Sequence, residues 1–403
     1  SDCAPIAIAK EHGLFNANGL DVELVRFASW AAMRDALGVG MIDAAHMLSP
    51  IVVASAAGLG PFPGSFTTAL TLNLNGNAIT VSTELFHEMN EVAPEAMTHC
   101  PLSASALKSV IRMRASQSAA PLTLAHVYNH SMHAYELRYW LAAAGIDPDK
   151  DVRLVVVPPS QMVSALAEGQ IDGFCVGEPW NQAAVQKKIG VPIITDDEIW
   201  HDNPEKVFSI RKDFAEKYPG TTAAMLRAII KAQQWLDADN GKNRAEAVKI
   251  LSQSNYVGAD PEVIAASMTG KFTFEAGDTR DAKGFNIFFD KYAGYPYYSD
   301  AIWYLTQMRR WGQIADDKSD DWYFQTARAV YRPDLYLAAA NKLVEDGVLE
   351  SGDVPETDGF RGPQSGFIDG ITFNGQQPNA YLAKFNIGLK QGQRVGASGV
   401  SGS

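Results

Sequence analysis

Several polar residues of this 403-residue chain stand where apolar, strand-like runs end: Ser29-Trp30, His46, Asn75-Gly76-Asn77, Ser131 with His133, Ser160-Gln161 and Gly177-Glu178-Pro179-Trp180. Indole, imidazole and amide groups donate hydrogen bonds. Several of these positions also open helices, where free N–H groups and the helix dipole favour an anion. In open α/β sheets ligands sit beyond the carboxyl ends of strands, so the set points to binding of a small anion. Catalysis is the competing chemistry, with Cys175 as nucleophile and His133 as base. Cys175 lies inside the apolar run FCVG, however, and reads as a small core residue. No paired carboxylates, metal triad, P-loop or nucleophile elbow accompanies it, so no enzyme is expected. Three cysteines without CxxC or Cys/His spacing give neither a disulfide scaffold nor a zinc site, and no cofactor is expected.

The elements that must hold these residues alternate. DVELVRF (21–27) predicts a strand, and ASWAAMRDAL (28–37) a helix capped by Ser29 and ended by Gly38 and Gly40, before the strand MIDAAHM. VRLVVVP (152–158) predicts a buried strand and SQMVSALAEG (160–169) a helix capped by Ser160, before the strand IDGFCVG. The module is thus written twice: Ser29 answers Ser160, and GMIDAA answers GQIDGF. A third unit couples the strand LTLAHVY (122–128) to a helix over 130–145, capped by Ser131 and closed by Gly145. Such alternation predicts βαβ units and mainly parallel sheets. Beyond about residue 210 long helical segments follow, such as 221–238. Segment 84–120 is polar and helix-prone, and the aromatic run 292–311 reads as core packing or lobe contact. Asp2 is a candidate cap for a helix beginning near Ala4, and the opening residues suggest a processed or truncated N-terminus. Doubling of the module suggests two lobes closing on one ligand.

Bulk properties agree. At 46% apolar the chain can fill two or three compact lobes, and its net charge of −12 excludes nucleic acid and anionic membrane as partners. A small anion stays admissible, because a site feels its nearest donors more than a screened global charge. No run approaches the ~20 apolar residues of a membrane span.

ASW…RD (28–35), IDAAHMLSP (42–50), LNLNGNAIT (72–80), RYWLAAAGIDP (138–148), VVVPPSQMV (155–163), FCVGEPW (174–180), NPEKVF (203–208) and FIDGITF (367–373) together resemble the nitrate-binding components of bacterial ABC importers. That family includes bicarbonate-binding relatives and a soluble nitrate sensor. The resemblance implies an α/β, two-lobed type II periplasmic-binding-protein fold with a ligand cleft between lobes. Residues 1–80 and 206–403 would form lobe 1, ending in a helical part and a flexible tail at 392–403, and residues 81–205 lobe 2. It implies that Trp30, Asn77, His133 and Lys206 line the anion pocket with Gly177 and Glu178 beside it, and it leaves His46 and Gln161 as further candidates. Lysine in NPEK matches the nitrate type, where the bicarbonate type carries an acid. The chain departs from the family at 126–134, where HVYNHSMHA contains an extra imidazole, His130.

Nitrate accepts hydrogen bonds only, and Lys206, His133, Asn77 and Trp30 offer four kinds of donor. Bicarbonate also needs an acceptor, which Glu178 or Asp43 could supply. The expected partners are therefore nitrate or a related oxyanion and the importer's permease and ATPase subunits. The expected location is the periplasm, with the membrane reached only through the permease or an unseen anchor. A cytoplasmic sensor with the same pocket is the alternative.

Overall fold

The computed structural model describes residues 1–275 and 277–389; the tail expected at 392–403 lies outside them. Ten strands are described: β1 (Ala44–Leu48), β2 (Phe66–Thr71), β3 (Asn77–Ser82), β4 (Thr123–His126), β5 (Arg153–Val156), β6 (Gly173–Gly177), β7 (Gly190–Thr195), β8 (Lys206–Arg211), β9 (Lys271–Glu275) and β10 (Asp278–Asp281). They form a three-stranded sheet in the order β1-β8-β2, a five-stranded sheet in the order β5-β4-β6-β3-β7, and the hairpin β9-β10. Helices pack around both larger sheets, giving the α/β class expected.

Strand direction departs from the expectation. The three-stranded sheet is antiparallel throughout. In the five-stranded sheet β4 runs parallel to β5 and β6, whereas β3 is antiparallel to β6 and β7. Parallel neighbours occur only where β4 sits between β5 and β6. The helical connections from β1 to β2 and from β6 to β7 also return the chain in the same direction, but β8 and β3 insert antiparallel between those strands.

Local capping is written in the sequence. Ser29 accepts the N–H of Ala32 at 3.2 Å and opens the helix Trp30–Gly38. Ser131 accepts that of Ala134 at 3.0 Å and opens the helix Met132–Ala143, and Gly145 terminates it at φ 78°. The second copy of the module breaks this rule. Pro158 and Pro159 hold the chain extended and then in a single 3-10 turn, so the helix Met162–Ala167 starts after Gln161 and Ser160 caps nothing. Nor is Asp2 a cap, since Cys3 precedes the helix Ala4–Glu11 and no side chain caps it.

Residues 21–27 form no strand. Their apolar alternation needs a neighbouring strand to pay off, and among the described residues none pairs with them; Leu24 and Val25 are exposed. Side chains hold the segment instead, with Arg26 donating to the carbonyls of Ser254 and Val257. The strand expected to be buried at 152–158 is the edge strand β5, and Val156 is half exposed. The helices Thr83–Val92 and Ser105–Ser116 put Met89, Leu107 and Val110 into the core, which accounts for segment 84–120. In the helix Tyr298–Arg310 Trp303 stacks near Trp200 and Phe367, so this part of the aromatic run is core, while Tyr292 at its start is exposed.

The chain crosses between the two large sheets at residues 72–76, from β2 to β3, and at 196–205, from β7 to β8. The crossings bond to each other. Leu72 N–H donates to Lys206 O at 2.7 Å, Glu205 N–H to Asn73 O at 3.1 Å, and Asn75 N–H to Asn203 O at 2.8 Å. The amide oxygen of Asn75 accepts both the backbone N–H and the Nδ2 of Asn203, each at 3.0 Å. Asn75 is fully buried and sits at φ 59°.

Asn75→Ala therefore orphans two buried donors and strains a left-handed position. It is expected to cost about 2–4 kcal/mol in urea unfolding, with Asn75→Gly about 1 kcal/mol milder because glycine relieves the strain alone. Equal losses would show that backbone conformation plays no part.

Candidate anion-binding site

Both crossings deliver side chains to one point. Asn77 opens β3 and Lys206 opens β8, immediately beyond the paired segments. The Lys206 ammonium lies 2.9 Å from Asp2 Oδ2, bonds Glu205 Oε2, and sits 5.5 Å from the centroid of the Trp30 ring. Trp30 is brought there as the first residue of the Ser29-capped helix. His46, on β1, stands 5.3 Å from the Trp30 ring and directs Nε2 to within 3.5 Å of Asp2 Oδ1. His133, in the first turn of its helix, reaches within 3.8 Å of Glu205 Oε1 through Nε2. Asn77 Nδ2 donates to Glu205 Oε1 at 3.0 Å and to Glu136 Oε2 at 3.1 Å. Gly177 is the register partner of Asn77 across β3 and β6. A Cβ there would meet Asn77 Oδ1 at 3.2 Å and both Asp2 Oδ2 and His133 Nε2 at 3.7 Å, so glycine keeps that side of the cluster open to its neighbours.

Of the candidates named from sequence, Trp30, His46, Asn77, His133, Gly177 and Lys206 converge here. Glu178 is buried next door, but its carboxylate turns to the N–H of Gln182 at 3.3 Å. Gln161 lies apart: it is exposed and bonds Pro158 and Ser164. His130 packs beside Tyr128 instead, with ring centroids 6.1 Å apart. Three acids were missed: Asp2, Glu136 and Glu205. Glu136 had a signal, since it stands three residues after His133 on one helical face. Glu205 adjoins Lys206 in NPEK. Asp2 had none, being separated from Lys206 by about half of the chain.

The profile of the NMT1-like family matches residues 1–252. The chain belongs to that family. It is 37% identical over 403 aligned residues to the nitrate/nitrite binding protein NrtA of Nostoc, covering 96% of this chain and 84% of that one. It is 35% identical over 397 residues to the nitrate import ATP-binding protein NrtC of Synechocystis; there the match takes in 96% of this chain but spans only about half of the relative's length, 54%. Among solved structures, the periplasmic nitrate-binding protein NrtA from Synechocystis superposes with a TM-score of 0.85 at 32% identity, covering 96% of each chain. The fold is thus the periplasmic-binding-protein fold.

Charges in this family member's cluster are unequally held. Burial works against the Lys206 ammonium, yet Asp2 and Glu205 outweigh it and lift its pKa above the ordinary lysine value. Burial also opposes ionisation of Asp2, but Lys206 overcomes it and holds this carboxyl well below the usual range. Glu205 goes the other way: burial, reinforced by Asp2, raises it despite Lys206. Burial and neighbouring Glu205 push Glu136 up to about 8. Burial and then Lys206 keep His133 neutral, well below the usual imidazole value. His133 Nδ1 and Asn77 Oδ1 are buried without a hydrogen-bond partner among the described residues.

Elsewhere, Asp197, His201 and Asp202 have ligand atoms close enough for a cation. Their geometry is that of an ion-pair chain: Asp197 sits 2.9 Å from Nδ1 and Asp202 3.3 Å from Nε2 of the same ring, and Lys291 bonds both oxygens of Asp202 at 2.7 Å.

Lys206→Met leaves buried acids without their cation and is expected to cost about 3–5 kcal/mol in chemical unfolding. Glu136 carries a second expectation. Its folded pKa of about 8 lies above the ordinary glutamate value of 4.5, so its contribution is fully present below the lower value and lost as pH rises through the higher. Glu136→Gln should therefore lose less Tm than the native chain between pH 5 and 8.5 in scanning calorimetry. Parallel pH profiles for the two proteins would show that Glu136 ionises normally.

Proposed function

We propose that the chain is the substrate-binding component of a bacterial ABC importer, taking up nitrate, with nitrite, and passing it to permease and ATPase subunits from the periplasm. In this reading residues 1–80 and 206–389 form one lobe and 81–205 the other, hinged at the two paired crossings. The observation that carries it is the buried Lys206 ammonium, surrounded by Asn77, His133 and Trp30 at that hinge. Names of the relatives point the same way.

The chemistry follows from the donor set. Nitrate stays ionised near neutral pH and offers only acceptors, and the ammonium, Asn77 Nδ2, an N–H of His133 and the Trp30 indole would hold its three oxygens. The neutral His133 has one N–H and one lone pair, so the proton must lie on the ring nitrogen facing the anion. Charge-assisted bonds contribute about 1.5–3 kcal/mol each, so two or three sustain binding near micromolar, about −8 kcal/mol. Gly177 keeps the wall thin enough for the anion to reach Asn77 and His133 together. The chain acts by binding and has no reaction to perform.

Bicarbonate is a second reading, favoured by one feature: Asp2 and Glu205 supply acceptors for its O–H, a need nitrate lacks. Titration calorimetry of one preparation with nitrate, nitrite and bicarbonate tests both. Nitrate is expected to bind near micromolar and to quench tryptophan fluorescence through Trp30, with Lys206→Glu abolishing the signal. A response to bicarbonate and none to nitrate would overturn the ligand assignment.

A further inference from the structure

Lys206 is already overcommitted. One ammonium faces two carboxylates, Asp2 at 2.9 Å and Glu205 in direct contact. Both oxygens of Glu205 are engaged, Oε2 by Lys206 and Oε1 by Asn77 Nδ2. These two donors are the ones that an anion in this cluster would take. An anion that displaced Glu205 from them would leave its carboxylate buried, 1% exposed, beside a third negative charge.

Among the described residues, none in contact with Glu205 other than Lys206 could compensate that charge. The helix Met132–Ala143 presents Glu136 and neutral His133. The start of the chain presents Asp2, itself facing His46 and, at 3.7 Å, the terminal ammonium of Ser1, which donates to Glu178 O rather than to Glu205. The segment after β7 presents Asp196, and β6 presents the Cys175 thiol, which lies 3.7 Å from Glu136. The helix Tyr298–Arg310 presents Tyr304, whose hydroxyl donates to Pro204 O at 3.1 Å. Among the described residues Lys206 is the cation in contact with Glu205, and a buried charge without a partner is costly.

Resting on the anion-binding reading, we infer that each anion enters with one proton, which settles on Glu205 and converts it from a competitor for Lys206 into a donor to the anion. Charge balances: one negative ion and one proton from solvent enter, so the net charge of the cluster is unchanged. The bond to Lys206 is released and an O–H toward the anion replaces it. Glu205 thereby becomes a specificity-determining residue, since as a carboxylic acid it favours acceptor-only anions and as a carboxylate it repels them. Burial already raises its proton affinity before any anion arrives.

Calorimetric titration of the full chain with sodium nitrate at pH 7.5, in phosphate, HEPES and Tris, reads the number of protons taken up from the dependence of heat on buffer ionisation enthalpy. A slope near one is expected, with Kd weakening about tenfold per pH unit between pH 7.5 and 9. Glu205→Gln should bring the slope near zero and flatten the pH profile, whereas Glu136→Gln should keep a slope near one. A native slope of zero with nitrate bound overturns the inference while leaving the anion-binding reading intact. A slope of one that persists in Glu205→Gln, or vanishes in Glu136→Gln, places the proton elsewhere and also overturns it. If Glu205→Gln does not fold, the native slope together with the Glu136→Gln slope decides. Absence of heat with nitrate, nitrite and bicarbonate alike overturns both readings.

Discussion

An ammonium taken out of water must be given negative charge within a few ångströms, and the structure is organised around meeting that demand for Lys206. Its desolvation would be prohibitive alone. Asp2 supplies the permanent counter-charge, and Lys206 in turn holds Asp2 ionised against its own burial. Glu205 is the adjustable member, engaged with the same ammonium yet pushed toward its acid form. The pairing thus gives one fixed anion and one that can yield. A cluster built only from donors would present a bare buried cation whenever its anion left.

That cluster exists because two chain crossings pair. Asn73 and Asn75 on one strand of the crossing bond Glu205, Lys206 and Asn203 on the other, and the two site residues Asn77 and Lys206 begin the strands that leave it. Neither sheet contains the site. Trp30 and His46 come from elements on the side of the three-stranded sheet, while His133, Glu136 and Gly177 come from elements of the five-stranded one. A site placed at the crossings keeps its central donors fixed even if the flanking elements shift, because backbone and side-chain bonds between the two crossings hold them.

Legibility from sequence followed the range of the forces involved. Ser29 and Ser131 cap helices with atoms three residues away, so those starts could be read directly. Segment 21–27 could not be read correctly, because its alternation becomes a strand only with a pairing partner remote in sequence. Ser160 looked like Ser29, but the proline pair before it redirects the backbone. Parallel pairing was right only for β4 with β5 and β6, because β8 and β3, remote in sequence, insert antiparallel between the strands that the other crossover helices join. In the candidate site, the donors that cluster had been named because the family motifs carry them and an acceptor-only anion would ask for them. Asp2, Glu136 and Glu205 were missed for the same reason, since acids run against a search for anion ligands.

Those acids also resolve an apparent conflict in the whole chain. A protein of net charge −12 repels anions at long range, but screening confines that repulsion to roughly 8–10 Å at physiological ionic strength. Around Glu205 the local count matters: its partner Lys206, the neighbouring Asp2, and the glutamate itself, whose pKa burial raises. With Glu205 as an acid that count is zero before an anion enters, and an arriving anion would meet an ammonium, an amide, an indole and a carboxylic O–H. With Glu205 ionised the count is −1 and the same donors are occupied. Selection for a singly charged, acceptor-only ion then needs no excess positive charge, only a carboxyl whose proton and whose place on Lys206 are exchanged together.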